Sequence, residues 1–353
     1  TTLHPTIPDR EKHNFRITDD NLGVGGPKEK FRNNMAAINL LHELEFKNRL
    51  ATPEEQEVLS KYVGFGGLAD AFDESKASWA NEYKELIVTL SPEEYAAARE
   101  STLTAFYTPP VVIRAMYEAL GNMGFSEGNI LEPSCGTGNF IGMLPDGMQK
   151  SKFFGVELDS LTGRIAQQLY QKSGITVQGY ENASLPDSFF DVAIGNVPFG
   201  QFKVIDKKYD KNNWLIHDYF FGKTLDKVRP GGVIAFITSS GTMDKRNSNV
   251  RKYIAQRAEL LGAIRLPNNT FKANAGTEVT SDILFLQKRD TLVNDEPDWV
   301  HLDRDENGNE YNKYFIDHPE MILGEMVMES SQFGQSLTCK PYEDRNLSDL
   351  LSE

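Results

Sequence analysis

The sequence predicts an α/β protein: a mainly parallel sheet covered on both faces by helices, with a helical region before it and an acidic segment after it. Three observations predict this. From residue 106 onward, short β-branched or apolar runs alternate with helical ones, as strand–helix–strand crossovers do. The first hundred residues carry helical periodicity and helix-start signals instead. The last stretch, residues 291–353, is strongly acidic. The expected organisation is a helical N-terminal region over 1–104, a strand–helix domain over 105–290 and a small acidic C-terminal segment over 291–353.

The elements follow in order. Residues 1–26 are polar, hold Gly23, Gly25 and Gly26, and read as an arm or irregular lead-in. From Pro27 to about Leu50 an apolar stripe through Phe31, Met35, Ile38, Leu41, Leu44 and Phe46 has helical period. Thr52-Pro53-Glu54-Glu55 and Ser91-Pro92-Glu93-Glu94 each place a hydroxyl at the N-cap, proline next and Glu at the third helical position, a capping box. Between them Gly64-Phe65-Gly66-Gly67 must turn. Strands are expected at 129–133, 152–157, 175–178, 190–195, 232–238, 260–266 and 282–287. Helices are expected near 138–144 and over 159–173, 216–228 and 247–258. No helical pattern separates the last two strands, so they can pair antiparallel.

Composition bounds the function. The net charge of −14 argues against a nucleic-acid protein until its distribution is read. Residues 291–353 hold fifteen acids against four bases, while residues 1–290 hold 36 acids against 33 bases, so the body is nearly neutral. Cys135 and Cys339 are too few for a disulfide framework and sit in no metal-binding spacing, so no metal is expected. No apolar stretch reaches membrane-spanning length, and the opening Thr1-Thr2-Leu3-His4-Pro5 is not a signal segment. A cytoplasmic setting without membrane contact is expected. The missing initiator methionine suggests a processed chain or a piece of a longer one.

Three motifs carry chemistry. In Glu132-Pro133-Ser134-Cys135-Gly136-Thr137-Gly138-Asn139-Phe140 a strand runs into a Gly-x-Gly turn and then a helix, where backbone approaches a ligand closely. Ile141 stands where the third glycine of a full dinucleotide fingerprint would be. Phe153-Phe154-Gly155-Val156-Glu157-Leu158-Asp159 is the next strand, ending in acids able to accept both hydroxyls of a ribose. These two features suit NAD and S-adenosylmethionine equally. Asn196-Val197-Pro198-Phe199 at the end of the fourth strand separates them, because methylation of an amino group needs it and hydride transfer does not. The adenine N6 lone pair is delocalised into the ring. Two acceptors aimed at its hydrogens, the Asn196 oxygen and the next backbone carbonyl, steer that lone pair outward. The aromatic Phe199 can stack on a base taken out of its helix.

These motifs resemble the γ-type N6-adenine DNA methyltransferase family. Asn196-Val197-Pro198-Phe199 is similar to its Asn-Pro-Pro-Phe-like motif, and Glu132 to Phe140 to its cofactor loop. Phe106-Tyr107-Thr108-Pro109-Pro110 resembles the element that closes over the methionine carboxylate, and Val228-Arg229-Pro230-Gly231-Gly232 the turn before the fifth strand. The resemblance implies a Rossmann-like S-adenosylmethionine-dependent methyltransferase fold with a mainly parallel seven-stranded sheet. It also implies methyl transfer to adenine N6 in DNA with base flipping. The cofactor, S-adenosyl-L-methionine, would meet Tyr107, Thr108, Glu132, Pro133, Cys135, Gly136, Gly138, Phe140, Glu157, Leu158 and, by a looser match, Glu181. Asn196, Val197, Pro198 and Phe199 would be catalytic.

There are two departures from the family. Val197 replaces the first proline of the tetrapeptide, and no sizeable target-recognition domain follows residue 290. The helical start and acidic tail also resemble the methylase segment of long phage or conjugative-element methylase/helicase polypeptides. Helicase or target-recognition regions, or a partner subunit, are therefore expected partners beside adenine-containing DNA. Candidate DNA contacts are Lys203, Lys207 and Lys208, the bases of 244–265, and Phe271 as a second wall for the base. Asp218, in the helix after the tetrapeptide, reads as a cap. RNA adenine, a protein glutamine amide, and a non-catalytic cofactor- or DNA-binding module remain as alternative functions.

Overall fold

A computed structural model of the chain describes residues 2–103, 107–271, 279–332 and 334–353. The helical region comprises α1 (Pro27–Phe46), α2 (Pro53–Leu59), α3 (Ala80–Thr89) and α4 (Pro92–Ser101). Both capping boxes form: Glu55 N donates to Thr52 Oγ1 at 3.2 Å and Glu94 N to Ser91 Oγ at 3.1 Å. Each glutamate bonds back to its cap amide. The α1 stripe buries Phe31, Met35, Ile38, Leu41 and Leu44. Phe46 does not belong to it and is 92% exposed. Two residues beyond Leu44, it is rotated by roughly 200° and leaves the buried face.

The N-terminal lead-in is irregular but clamped. Phe15 N donates to Leu169 O at 2.8 Å and Ile17 N to Gly142 O at 3.0 Å. Gln56, fully buried, donates to the carbonyls of His13 and Gln168 at 2.9 Å, tying lead-in, α2 and sheet helix together.

The sheet region begins with α5 (Pro110–Asn122) and continues β1 (Asn129–Glu132), α6 (Asn139–Gly142), β2 (Lys152–Glu157), α7 (Ser160–Leu169), β3 (Gly174–Val177) and β4 (Phe190–Asn196). It ends with α8 (Ile216–Lys227), β5 (Val228–Ser239), α9 (Gly241–Asp244), α10 (Asn249–Arg257), β6 (Ala258–Leu266) and β7 (Ser281–Lys288). The seven strands stand in the order β3-β2-β1-β4-β5-β7-β6. The first five are parallel, and β7 pairs antiparallel with β5 and β6. This is the α/β, mainly parallel seven-stranded sheet the sequence predicts. Ile130 and Leu131, successive residues of β1, each feed a different apolar cluster, so both faces are covered.

Residues 291–353 are not a featureless acidic tail. They form β8 (Leu302–Arg304), β9 (Glu310–Asn312), α11 (Lys313–Asp317), the hairpin β10 (Glu325–Ser331) and β11 (Gly334–Lys340), and α12 (Leu347–Ser352). Leu323 N donates to Arg265 O, and Asn268 N to Cys339 O, fastening this segment to the end of β6. Among the described residues no helix is long and apolar enough to cross a membrane.

Candidate active site

Parallel strands bring the carboxyl ends of β1, β2 and β4 to one edge, so Glu132, Glu157 and Asn196 lie along it. The loop after β1 turns through Gly136 (φ +55°) and Gly138 (φ +87°), both in the left-handed region. Gly138 also lacks room for a side chain, since a Cβ there would stand 2.5 Å from the Tyr170 ring. The Glu157 carboxylate accepts from Gly136 N at 2.9 Å and from Asp159 N at 2.8 Å. Burial pushes its carboxyl up to about 7. Asp159 caps α7 through Thr162 N at 3.3 Å. Leu158 stands exposed at the rim, and Glu181 lies half-buried in the turn after β3, its carboxylate folded over Gly179.

Glu132 is buried, with Oε1 lacking a hydrogen-bond partner among the described residues. Burial, then the neighbouring Glu157 charge, raises its carboxyl well above the carboxylate range. Gly195 packs against it at φ +151°, where a Cβ would meet Glu132 Cγ at 3.0 Å. The residue before the tetrapeptide is thus fixed as glycine by two constraints, which sequence reading missed. The glycine inside an otherwise apolar strand was its signal.

Asn196 Nδ2 donates to Thr108 Oγ1 at 3.4 Å, joining the tetrapeptide to the segment before α5. Thr108 is buried and Tyr107 partly exposed, while Phe106 lies outside the described residues. Val197 explains its own departure. Its amide donates to Ile237 O at 3.0 Å, a bond proline has no hydrogen to make. The strand ladder, rather than a ring, therefore holds this peptide. Pro198 and Phe199 are half-buried beside it.

Other expected residues are placed differently. Phe140 is buried against Tyr117, whose hydroxyl donates to its carbonyl at 2.5 Å, and Pro133 and Cys135 are buried as well. Phe271 is packed in the core rather than lining a surface, because the chain after β6 folds under the C-terminal segment. Lys203 and Lys207 are exposed on the loop after the tetrapeptide. Lys208 is not at the site. It pairs with Asp226 at 3.3 Å and Asp187 at 3.7 Å, beside the end of α8 and the start of β4, at the opposite edge of the sheet. Among the described residues Asp218 makes no capping bond. It is buried in the first turn of α8 with His217 Nε2 at 3.5 Å, and His217 Nδ1 has no hydrogen-bond partner among them. Burial raises the Asp218 carboxyl and lowers the His217 imidazole.

Of the bases in 244–265, Arg251 and Arg265 are internal. Arg265 donates to Asp282 at 2.8 and 2.9 Å and to Asp244 at 3.0 Å. Arg251 Nε donates to Val300 O at 2.8 Å. Arg246 faces Glu310 and Lys252 faces Glu296, both at 3.4 Å.

The sequence profile of the N-6 DNA methylase family matches residues 89–316. The chain belongs to the N-6 DNA methylase family. It is 30% identical over 282 residues to the defense against restriction protein B of Escherichia phage P1, covering 78% of this chain and 11% of that protein. It is 28% identical over 210 residues to the type II methyltransferase M.XamI of Xanthomonas campestris pv. amaranthicola, covering 53% of this chain and 39% of that one. The crystal structure of the type I restriction enzyme EcoKI M protein aligns with a TM-score of 0.41 at 14% identity, over 76% of this chain and 64% of that one. This N-6 DNA methylase chain thus spans less than half the length of both sequence relatives.

Proposed function

We propose that the chain transfers the methyl group of S-adenosylmethionine to the N6 amino group of adenine in DNA, taking the base out of its helix to do so. One observation carries the reading: Asn196 gives its Nδ2 to Thr108. With Nδ2 turned to Thr108, Oδ1 is left to accept from the substrate amino group. The backbone carbonyl of Val197, held by the strand ladder, is the second acceptor. Together they polarise both N–H bonds as the nitrogen becomes tetrahedral, a charge that grows only in the transition state. Phe199 supplies a ring for the extruded base to stack on.

The residues present fit the cofactor. The left-handed glycines open the backbone of the loop, and Glu157 retains acceptor capacity beyond its two amide bonds. Glu157 would hold the ribose, Gly136 and Gly138 the loop side, and Leu158 and Glu181 the adenine ring. Tyr107 and Thr108 would close over the amino-acid end. Glu132 offers a buried oxygen with no partner among the described residues. Bound there, S-adenosylmethionine supplies an electrophilic methyl.

Transfer of radiolabelled methyl to DNA, RNA and total protein offered separately tests the substrate. DNA alone should take the label, on N6 of adenine. Label appearing only in RNA or in protein would transfer the site to another amino-group substrate. Calorimetry should show binding of S-adenosylhomocysteine, and tight NAD binding without it would overturn the cofactor.

A further inference from the structure

The loop between the tetrapeptide and α8 exposes two large apolar side chains, Phe202 at 52% and Ile205 at 84%. Neither exposure comes from a slack loop. Ile216 N donates to Phe202 O at 3.0 Å at one end, and Lys203 Nζ to Asn213 Oδ1 at 2.5 Å across it. In the middle Asp206 is gripped by Tyr219 Oη at 2.6 Å and by buried Lys223 at 3.0 Å, and the Tyr209 hydroxyl reaches Asp226. The loop therefore turns its polar anchors inward against α8 and its apolar residues outward, the reverse of ordinary loop chemistry.

Part of the charge of the same loop is sorted in the same way. Asp206 is spent on Lys223 and Tyr219, and Asp210 Oδ1 accepts the Asp206 amide. Lys203, next to Phe202, is exposed. The outward surface is thus apolar and cationic together, and it starts three residues after Phe199. A cationic apolar surface fits a polyanion that can offer a gap between stacked rings. Lysines reach phosphates, and an apolar side chain enters the step that a departing base leaves open.

We infer that Phe202, with Ile205 exposed on the same loop, is the wedge that holds open the duplex DNA stack from which the target adenine is drawn. This rests on the DNA reading above and assigns a substrate state: double-stranded rather than single-stranded DNA. Removing the wedge should hurt only where a base must be pulled from a stack. A mismatched or unpaired adenine pays little of that cost.

The test compares the full chain with Phe202→Ala and Ile205→Ala on adenine-containing oligonucleotides in three forms. These are the duplex, the same strand alone, and a duplex whose target adenines face abasic positions. Phe202→Ala should lose about tenfold on the duplex, the scale of one stacking contact. It should stay within twofold on the single strand and recover on the abasic duplex. Phe202→Trp should keep most of the duplex rate. Both residues are exposed, and an unchanged melting temperature and unchanged S-adenosylhomocysteine binding confirm that the fold and cofactor site are intact. Equal loss on all three forms, no loss on the duplex, or a parent chain that methylates only single strands would overturn the wedge. A parent chain that labels none of the three would instead overturn the DNA reading beneath it.

Discussion

Two basic stretches look alike in the sequence and behave differently in the structure. Both 200–212 and 244–265 follow strands that end at the site edge, and both carry more bases than acids. In the first, Asp206 turns inward onto Lys223 and Tyr219, and Lys203 and Lys207 are exposed. In the second, Arg265 and Arg251 are core groups, and Arg246 and Lys252 face Glu310 and Glu296 from the acidic C-terminal segment. Two carboxylates of that segment, Glu310 and Glu296, thus answer a basic stretch of the body. A local count of charges fails to report a cationic surface whenever the neutralising partner lies fifty residues away.

The comparison breaks hardest at Arg265. It is fully buried between Asp282 and Asp244, so Arg265→Met leaves two carboxylates facing each other without a cation. Such a loss costs roughly 3–5 kcal/mol. Denaturant unfolding should show it; a variant as stable as the parent would mean this arginine is not the cation the region is built around.

On the exposed side, Lys203→Ala with Lys207→Ala should flatten the dependence of log affinity on log salt for duplex DNA by about 2, one for each lost phosphate contact. Arg246→Ala with Lys252→Ala should leave that slope unaltered, because those charges are already answered. Equal slopes for the two double variants would erase the distinction between the stretches.

The smallest effect is set by pH. Burial raises Glu157 to about 7, so its folded-state value lies above the ordinary carboxyl value of 4.5. The sign follows: the neutral acid favours the fold below about 4.5, and that contribution is lost as pH rises through 7. A ribose needs the ionised acceptor. S-adenosylhomocysteine affinity should therefore climb by about tenfold from pH 6 to 8, and Glu157→Gln should flatten the climb. A flat profile in the parent would remove Glu157 from the cofactor.

Much of this was legible in the sequence, and the reasons are physical. The strands were readable because β-branched runs end in glycine turns, and the two capping boxes because both partners lie within three residues. The Gly136–Glu157 contact joins residues whose strands must be neighbours in a parallel sheet. What was not legible depends on distant partners. Asp218 opens a helix, as a cap does, yet it is buried beside His217. Proximity along the chain puts Phe271 and Lys208 at the substrate. One is packed in the core and the other is held by Asp226 and Asp187 at the far edge. The hairpin β10–β11 and the clasp of Asn312 on Met243 and Trp299 carbonyls lie inside a segment whose acidity hid its structure.

The central claim is that Asn196 accepts from the amino group during transfer, and one measurement tests it most directly. Single-turnover methylation of adenine-containing DNA by Asn196→Ala should fall by about 10²–10³ in rate, the scale of losing one preorganised stabilising group. S-adenosylhomocysteine affinity and melting temperature should stay at the parental values. A folded, cofactor-binding Asn196→Ala chain that methylates adenine at the parental rate would reduce the tetrapeptide to a turn and contradict the account.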